Sequence, residues 1–273
     1  MIRLAVRCRP DQAELVLAEL VQLAPGGVEE EAGPDWVEYA IYGAEGELPD
    51  LGEVKAAAGD DLVEITSERI PDDWADRWRD FHEPTVVADG RVVIRPAWSE
   101  NPAPGALDVL VDPGQAFGTG AHPTTRMCVD LLVWLADQGR ATGKLVDLGT
   151  GSAVLAIVAV KLGWSPVLGV DHELPALEAA RENALVNGVE LEVERINLRA
   201  DAAPVAPTIV ANLTAPVLRD VASNMTEPPQ DLVVSGLLAE EAEAVAGTFA
   251  RHGLAMVERL DSGDWSALVL TSS

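Results

Sequence analysis

Basic residues are scarce in this chain. Its 273 residues carry 19 lysines and arginines against 45 aspartates and glutamates, a formal charge of −26. Direct nucleic-acid binding needs a basic face, so that class is excluded; a basic partner, or simply a soluble surface, suits the charge. Lysine stands only at 55, 144 and 161, beside sixteen arginines, a bias that carries little function. Cysteine is rarer still. Cys8 and Cys128 are far apart and have no metal-like neighbours, which excludes a disulfide framework and a metal site and leaves two reduced core thiols. No apolar run reaches the ~20 residues of a membrane span. The opening "MIRLAVRCRPDQ" has too short an apolar stretch for a signal peptide. A soluble, monomeric, cytoplasmic protein with no membrane partner is expected.

What is present is a large apolar fraction, 48%, enough for a sizeable core. Residues 1–70 read as strand, helix, strand, strand, helix, strand, a split βαβ pattern. "IRLAVRC", "WVEYAIYG" and "DLVEITSERI" are strands, "GGVEEE" turns into a short one, and "DQAELVLAELVQLA" and "LGEVKAAAG" are helices. "PDDWADRWRDFHEP" reads as a linker helix over 71–84, with Trp74, Trp78 and Phe81 on one face. Residues 85–273 change grammar. "RVVIRPAW" and "ALDVLVDPG" are strands; helices and strands then alternate, the mark of a doubly wound α/β sheet. The helices are expected over about 122–138, 152–162, 173–187, 216–223 and 237–252. The chain ends in two strands around "DSGD", an antiparallel hairpin unlike the usual dinucleotide fold.

Three stretches carry chemistry. "DPGQAFGTGAHPTTR", Asp112 to Arg126, is rich in glycine but has no lysine, so it is not a phosphate loop. "VDLGTGSAV" ends a strand and opens a helix; Gly149 and Gly151 permit a tight turn and close approach of a ligand. Asp171 ends the next strand, 22 positions after Gly149, where a carboxylate can accept from both hydroxyls of a ribose, or else cap a helix. Two cofactors fit, NAD and S-adenosylmethionine. Val154 breaks the NAD fingerprint at its sixth position. Asp147 would repel a pyrophosphate but suits an α-ammonium group, so S-adenosylmethionine is favoured. In "VANLTAP", Asn212 stands at a strand end, where its carboxamide can hold a neutral amine or cap the turn at Thr214.

Together these pieces resemble the PrmA family, bacterial methyltransferases of large-subunit ribosomal protein L11, over nearly the whole chain. The best-matching pieces are "DDWADRWRDFHEP", "VVIRPAW", "DPGQAFGTGAHPTTR", "VDLGTGSAVLAI", "LGVD" and "VANL". The resemblance implies an N-terminal ferredoxin-like docking domain, a linker helix and a class I, Rossmann-like methyltransferase domain. It implies cofactor contacts at Thr125, Gly149, Asp171 and Asn212, and N-methylation of lysine side chains and the α-amine of a basic ribosomal protein. On that reading the glycine-rich loop is a lid on the cofactor. Phe117 walls the methyl path, and Thr124 and Thr125 bind the methionine carboxylate at a helix start. His122 is either a base or a loop anchor. Three departures from the family pattern stand out: Ala153 in place of a glycine, no acid before "TIVANL", and a short, proline-rich "INLRADAAPVAP" where the adenine pocket is expected. The same chemistry on another protein, and a noncatalytic cofactor-binding module, are the alternatives.

Overall fold

The computed structural model describes residues 2–13, 16, 29–33, 36–43, 64–69, 83–112, 120 and 122–272. The chain divides into two compact units, Met1–Phe81 and His82–Ser273. In the first, β1 (Ile2–Cys8), β2 (Glu29–Ala32), β3 (Val37–Gly43) and β4 (Glu64–Arg69) form an antiparallel sheet in the order β2-β3-β1-β4. Leu4, Val6, Cys8, Tyr39 and Ile41 build its core. The Glu38 carboxylate, nearly buried, lies between the Arg3 and Arg7 guanidiniums at 2.6 and 2.8 Å. Their hydrogen bonds, Arg3's first, hold its pKa below the usual carboxylate range. Most of the two expected helices of this unit, and the linker helix up to residue 82, lie outside the described residues.

The second unit opens with a small sheet of β5 (Thr85–Val87), β6 (Val92–Arg95) and β7 (Leu107–Leu110). The sequence pattern gives β6 and β7 but not β5, which is three residues long and too short to alternate. The main sheet holds β8 (Leu145–Leu148), β9 (Val167–Asp171), β10 (Glu192–Arg195), β11 (Thr208–Asn212), β12 (Asp231–Leu238), β13 (Leu254–Ser262) and β14 (Trp265–Ser272). Their order is β10-β9-β8-β11-β12-β14-β13. The first five are parallel; β14 runs antiparallel to both β12 and β13. Every residue of β8 and β9 is buried, as expected of parallel strands covered on both faces.

Among the described residues five helices cover the sheet: α1 (Pro123–Asp137), α2 (Val154–Leu162), α3 (Leu174–Val186), α4 (Ala215–Ser223) and α5 (Ala242–Ala250). Side chains of α1 and α2 pack into one core, those of α4 and α5 into the other. The last helix begins at Ala242, not near 237, because β12 continues to Leu238 and pairs there with Trp265. The hairpin turns at Gly263, φ +58°. Among the described residues no helix is long and apolar enough to cross a membrane.

This order places the site. From β8 the chain winds outward through β9 to β10, then crosses back to β11 on the other side of β8. The crossovers on either side of that reversal leave in opposite directions, opening a crevice at the carboxyl ends of β8 and β11.

Candidate active site

A cavity of about 430 Å³ occupies that crevice, within the ~300–1,000 Å³ usual for small-molecule sites. Gly149, Gly151, Asp171 and Asn212, four residues singled out by sequence, all line it. So do Ile196, Asn197 and Leu198, so the segment with no recognisable adenine pattern still supplies a wall.

Asp171 ends β9 and is 9% exposed. Its Oδ2 accepts from the Gly151 amide at 3.1 Å and its Oδ1 from the Glu173 amide at 3.1 Å. The N-cap of α3 is Glu173, so Asp171 supports the helix start from outside it, and the ribose reading is compatible with these bonds. The carboxylate ties the glycine turn to the start of α3, and each oxygen keeps a further lone pair.

Asn212 ends β11, and its Nδ2 donates to Thr125 Oγ1 at 3.3 Å, so α1 and β11 meet at this carboxamide. The next residue, Leu213, sits in a slot made by two glycines. A Cβ on Gly149 would fall 2.4 Å from Leu213 Cδ2, and one on Gly236 would fall 2.6 Å from the Leu213 carbonyl oxygen. Both glycines have positive φ, +71° and +82°, so glycine is needed there for conformation and for space. Pattern reasoning missed Leu213 and Gly236, because the slot joins three strands distant in sequence.

Three predicted residues sit away from this cavity lining. Asp147 does not line the cavity. It is 1% exposed beneath the glycine turn, and its Oδ2 accepts from the Thr150 hydroxyl at 2.8 Å and the Ala156 amide at 3.2 Å. Burial pushes its pKa up to about 7. The structure thus bonds this acid to the turn and to α2. Thr124 and Thr125 are each 1% exposed and also lie off the cavity lining. The Thr124 hydroxyl lies 2.7 Å from His122 Nδ1, which also accepts from the Thr124 amide at 3.4 Å. His122 is thus the N-cap of α1, its ring edge-on to Trp265 at 4.9 Å. Burial, then Arg126, lowers its pKa, which favours a neutral ring suited to capping. Helix capping is the contact the structure shows. Phe117 and Gly118 lie outside the described residues.

Ala153, the residue in place of a glycine, is fully buried and does not crowd the cavity. Its cost is in the backbone: φ +63°, ψ +20°, left-handed, as the N-cap of α2. An L-residue there costs roughly 1–2 kcal/mol, partly offset by the entropy a glycine would lose on folding. Ala153→Gly is expected to stabilise the protein by about 0.5–1 kcal/mol in urea unfolding. A variant of equal or lower stability would show that the left-handed alanine carries no strain.

The comparisons with known proteins bear on this geometry. The family model "Ribosomal protein L11 methyltransferase (PrmA)" matches residues 40–273. The chain belongs to the PrmA family. A ribosomal protein L11 methyltransferase of Symbiobacterium thermophilum is 35% identical, over 92% of this chain and 84% of that protein. One of Geobacter metallireducens is 40% identical, over 72% of this chain and 66% of its own length; against that relative the chain spans just under two thirds. The crystal structure of a ribosomal protein L11 methylase from Lactobacillus delbrueckii subsp. bulgaricus superposes with a TM-score of 0.59 at 28% identity, covering 69% of this chain and 98% of that one. Membership in PrmA settles the choice between the two cofactors against NAD and fixes the α/β methyltransferase fold of the second unit.

Proposed function

We propose that this chain transfers methyl groups from S-adenosylmethionine to amines of ribosomal protein L11, on lysine side chains or the α-amine. The observation that carries the reading is Asn212, held at the carboxyl end of β11 in the same cavity wall as the glycine turn and Asp171. The residues fit the cofactor. Asp171 offers spare lone pairs to ribose hydroxyls, the glycine turn admits close approach, and Ile196 and Leu198 offer an apolar wall to a flat base. The bound cofactor supplies a methyl group already activated on a sulfonium.

The protein's own work is alignment. Thr125 fixes the Asn212 carboxamide through Nδ2, leaving Oδ1 to accept from the incoming amine and turn its lone pair toward the methyl. That amine must arrive neutral. A free lysine has a pKa of about 10.4, and an apolar approach lowers it.

The first unit is read as a ferredoxin-like docking domain joined through a linker helix over 71–84. Its antiparallel strand order, β2-β3-β1-β4, supports that reading. Residues 1–70 hold five basic and sixteen acidic residues, a charge that steers a basic substrate and fades with salt.

Transfer of tritiated methyl groups to purified L11 tests the reading. Wild-type protein is expected to label it. Asn212→Ala should lose about tenfold in kcat at saturating cofactor, the scale of one neutral hydrogen bond, with little change in cofactor Kd. No labelling by wild type would sink the proposal. Normal turnover at saturation in the variant would remove Asn212 from amine alignment.

A further inference from the structure

Helix α3 carries a polar residue where its periodicity calls for an apolar one. Ala176, Leu177, Ala180 and Ala184 are its buried apolar face, and Asn183 lies on that face, 3% exposed. A buried carboxamide is costly unless its donors and acceptor are used. Here both ends are. Asn183 Oδ1 accepts from the Asp112 amide at 3.0 Å, and Nδ2 donates to the Ser152 carbonyl at 2.9 Å. Asn187, one helical turn on, makes a parallel set. Its Oδ1 accepts from the Leu110 amide at 3.0 Å, and its Nδ2 donates to the Leu110 carbonyl at 2.6 Å and the Asn183 carbonyl at 2.8 Å. Two residues four apart on a helix, about 6 Å along its axis, thus match two residues two apart on an extended chain, about 6.6 Å.

The two rungs differ in what they join. Asn187 ties α3 to the end of β7 and to itself. Asn183 ties together two segments of the cofactor region. Asp112 is the residue from which the glycine-rich stretch departs, and Ser152 follows Gly151 in the turn at the end of β8. The turn is thereby gripped from two sides: Asp171 takes the Gly151 amide and Asn183 holds the Ser152 carbonyl.

We infer that Asn183 is a positioning residue for the cofactor turn, fixing it against the start of the glycine-rich segment. The inference rests on the methyltransferase reading above. Because Asn187 makes equivalent bonds without touching the turn, it serves as the internal control.

The experiment compares Asn183→Ser and Asn183→Asp with Asn187→Ser in the full chain. It measures urea unfolding, S-adenosylmethionine affinity by calorimetry and methyl transfer to L11. At neutral pH the aspartate keeps the acceptor for Asp112 but sets an oxygen against the Ser152 carbonyl. All three variants are expected to lose stability. The two Asn183 variants should also lose at least tenfold in cofactor affinity, whereas Asn187→Ser should stay within about threefold of wild type. Equal cofactor affinity in the Asn183 and Asn187 variants would overturn the inference, as would an Asn183→Asp protein that binds like wild type. If Asn183→Ser does not fold, Asn183→Asp against Asn187→Ser gives the same comparison. Failure of wild type to bind the cofactor would instead refute the methyltransferase reading.

Discussion

Replacing Asp171 by alanine is expected to weaken S-adenosylmethionine binding by about tenfold to a hundredfold, the 1.5–3 kcal/mol typical of a hydrogen bond to a charged group. The carboxylate stands on the cavity wall at the end of β9 and already takes the Gly151 and Glu173 amides. Its loss removes the proposed ribose acceptor and also frees the glycine turn on one side. Asp171→Asn separates the two effects, since an amide oxygen can keep one of the backbone amides while the charge is gone. Calorimetric titration of both variants decides. An unchanged dissociation constant in a protein with a normal unfolding transition would sink the ribose assignment.

Asp147→Asn should change how stability depends on pH. Burial raises the folded carboxyl from the ordinary 3.8 to about 7. With the folded pKa above the unfolded one, the neutral acid is the form the fold accommodates. The stability it contributes is therefore complete below about pH 4 and is lost as pH rises through about 7. Between pH 5 and 8, a range that avoids the isoelectric region of so acidic a chain, the loss is on the order of 3 kcal/mol. Asparagine cannot ionise, and its carbonyl oxygen can accept from the same Thr150 hydroxyl and Ala156 amide. The stability difference between variant and wild type should thus grow by that amount from pH 5 to pH 8. Urea unfolding at both pH values measures it. A difference that stays constant would mean that Asp147 is ionised in its pocket throughout.

Much of the site is legible because its residues sit at ends of elements that local pattern reveals. Alternating strands and helices imply the doubly wound sheet. Gly149, Asp171 and Asn212 fall at strand ends, where ligands gather in such sheets, so three of the cavity's walls follow from spacing alone. The helix that starts after His122 is visible too, since Pro123 opens it.

The other decisions depend on what the packed chain brings alongside. Spacing places Asp147 near the turn but cannot say which way its carboxyl faces. Thr150 and Ala156 draw it inward, and burial then raises its pKa. Ala153 shows in the sequence as a missing glycine, yet only the fold reveals that the consequence is a left-handed backbone rather than a crowded cavity. Leu213 acquires its slot from Gly149 and Gly236, on strands that become neighbours of β11 only when the sheet assembles. Asn183 reads as one polar residue in a helix until folding brings it to Ser152, 31 positions away, and Asp112, 71 positions away. Periodicity and turn chemistry are local and survive in the sequence; the partners of a buried polar group are long-range and exist only in the tertiary structure.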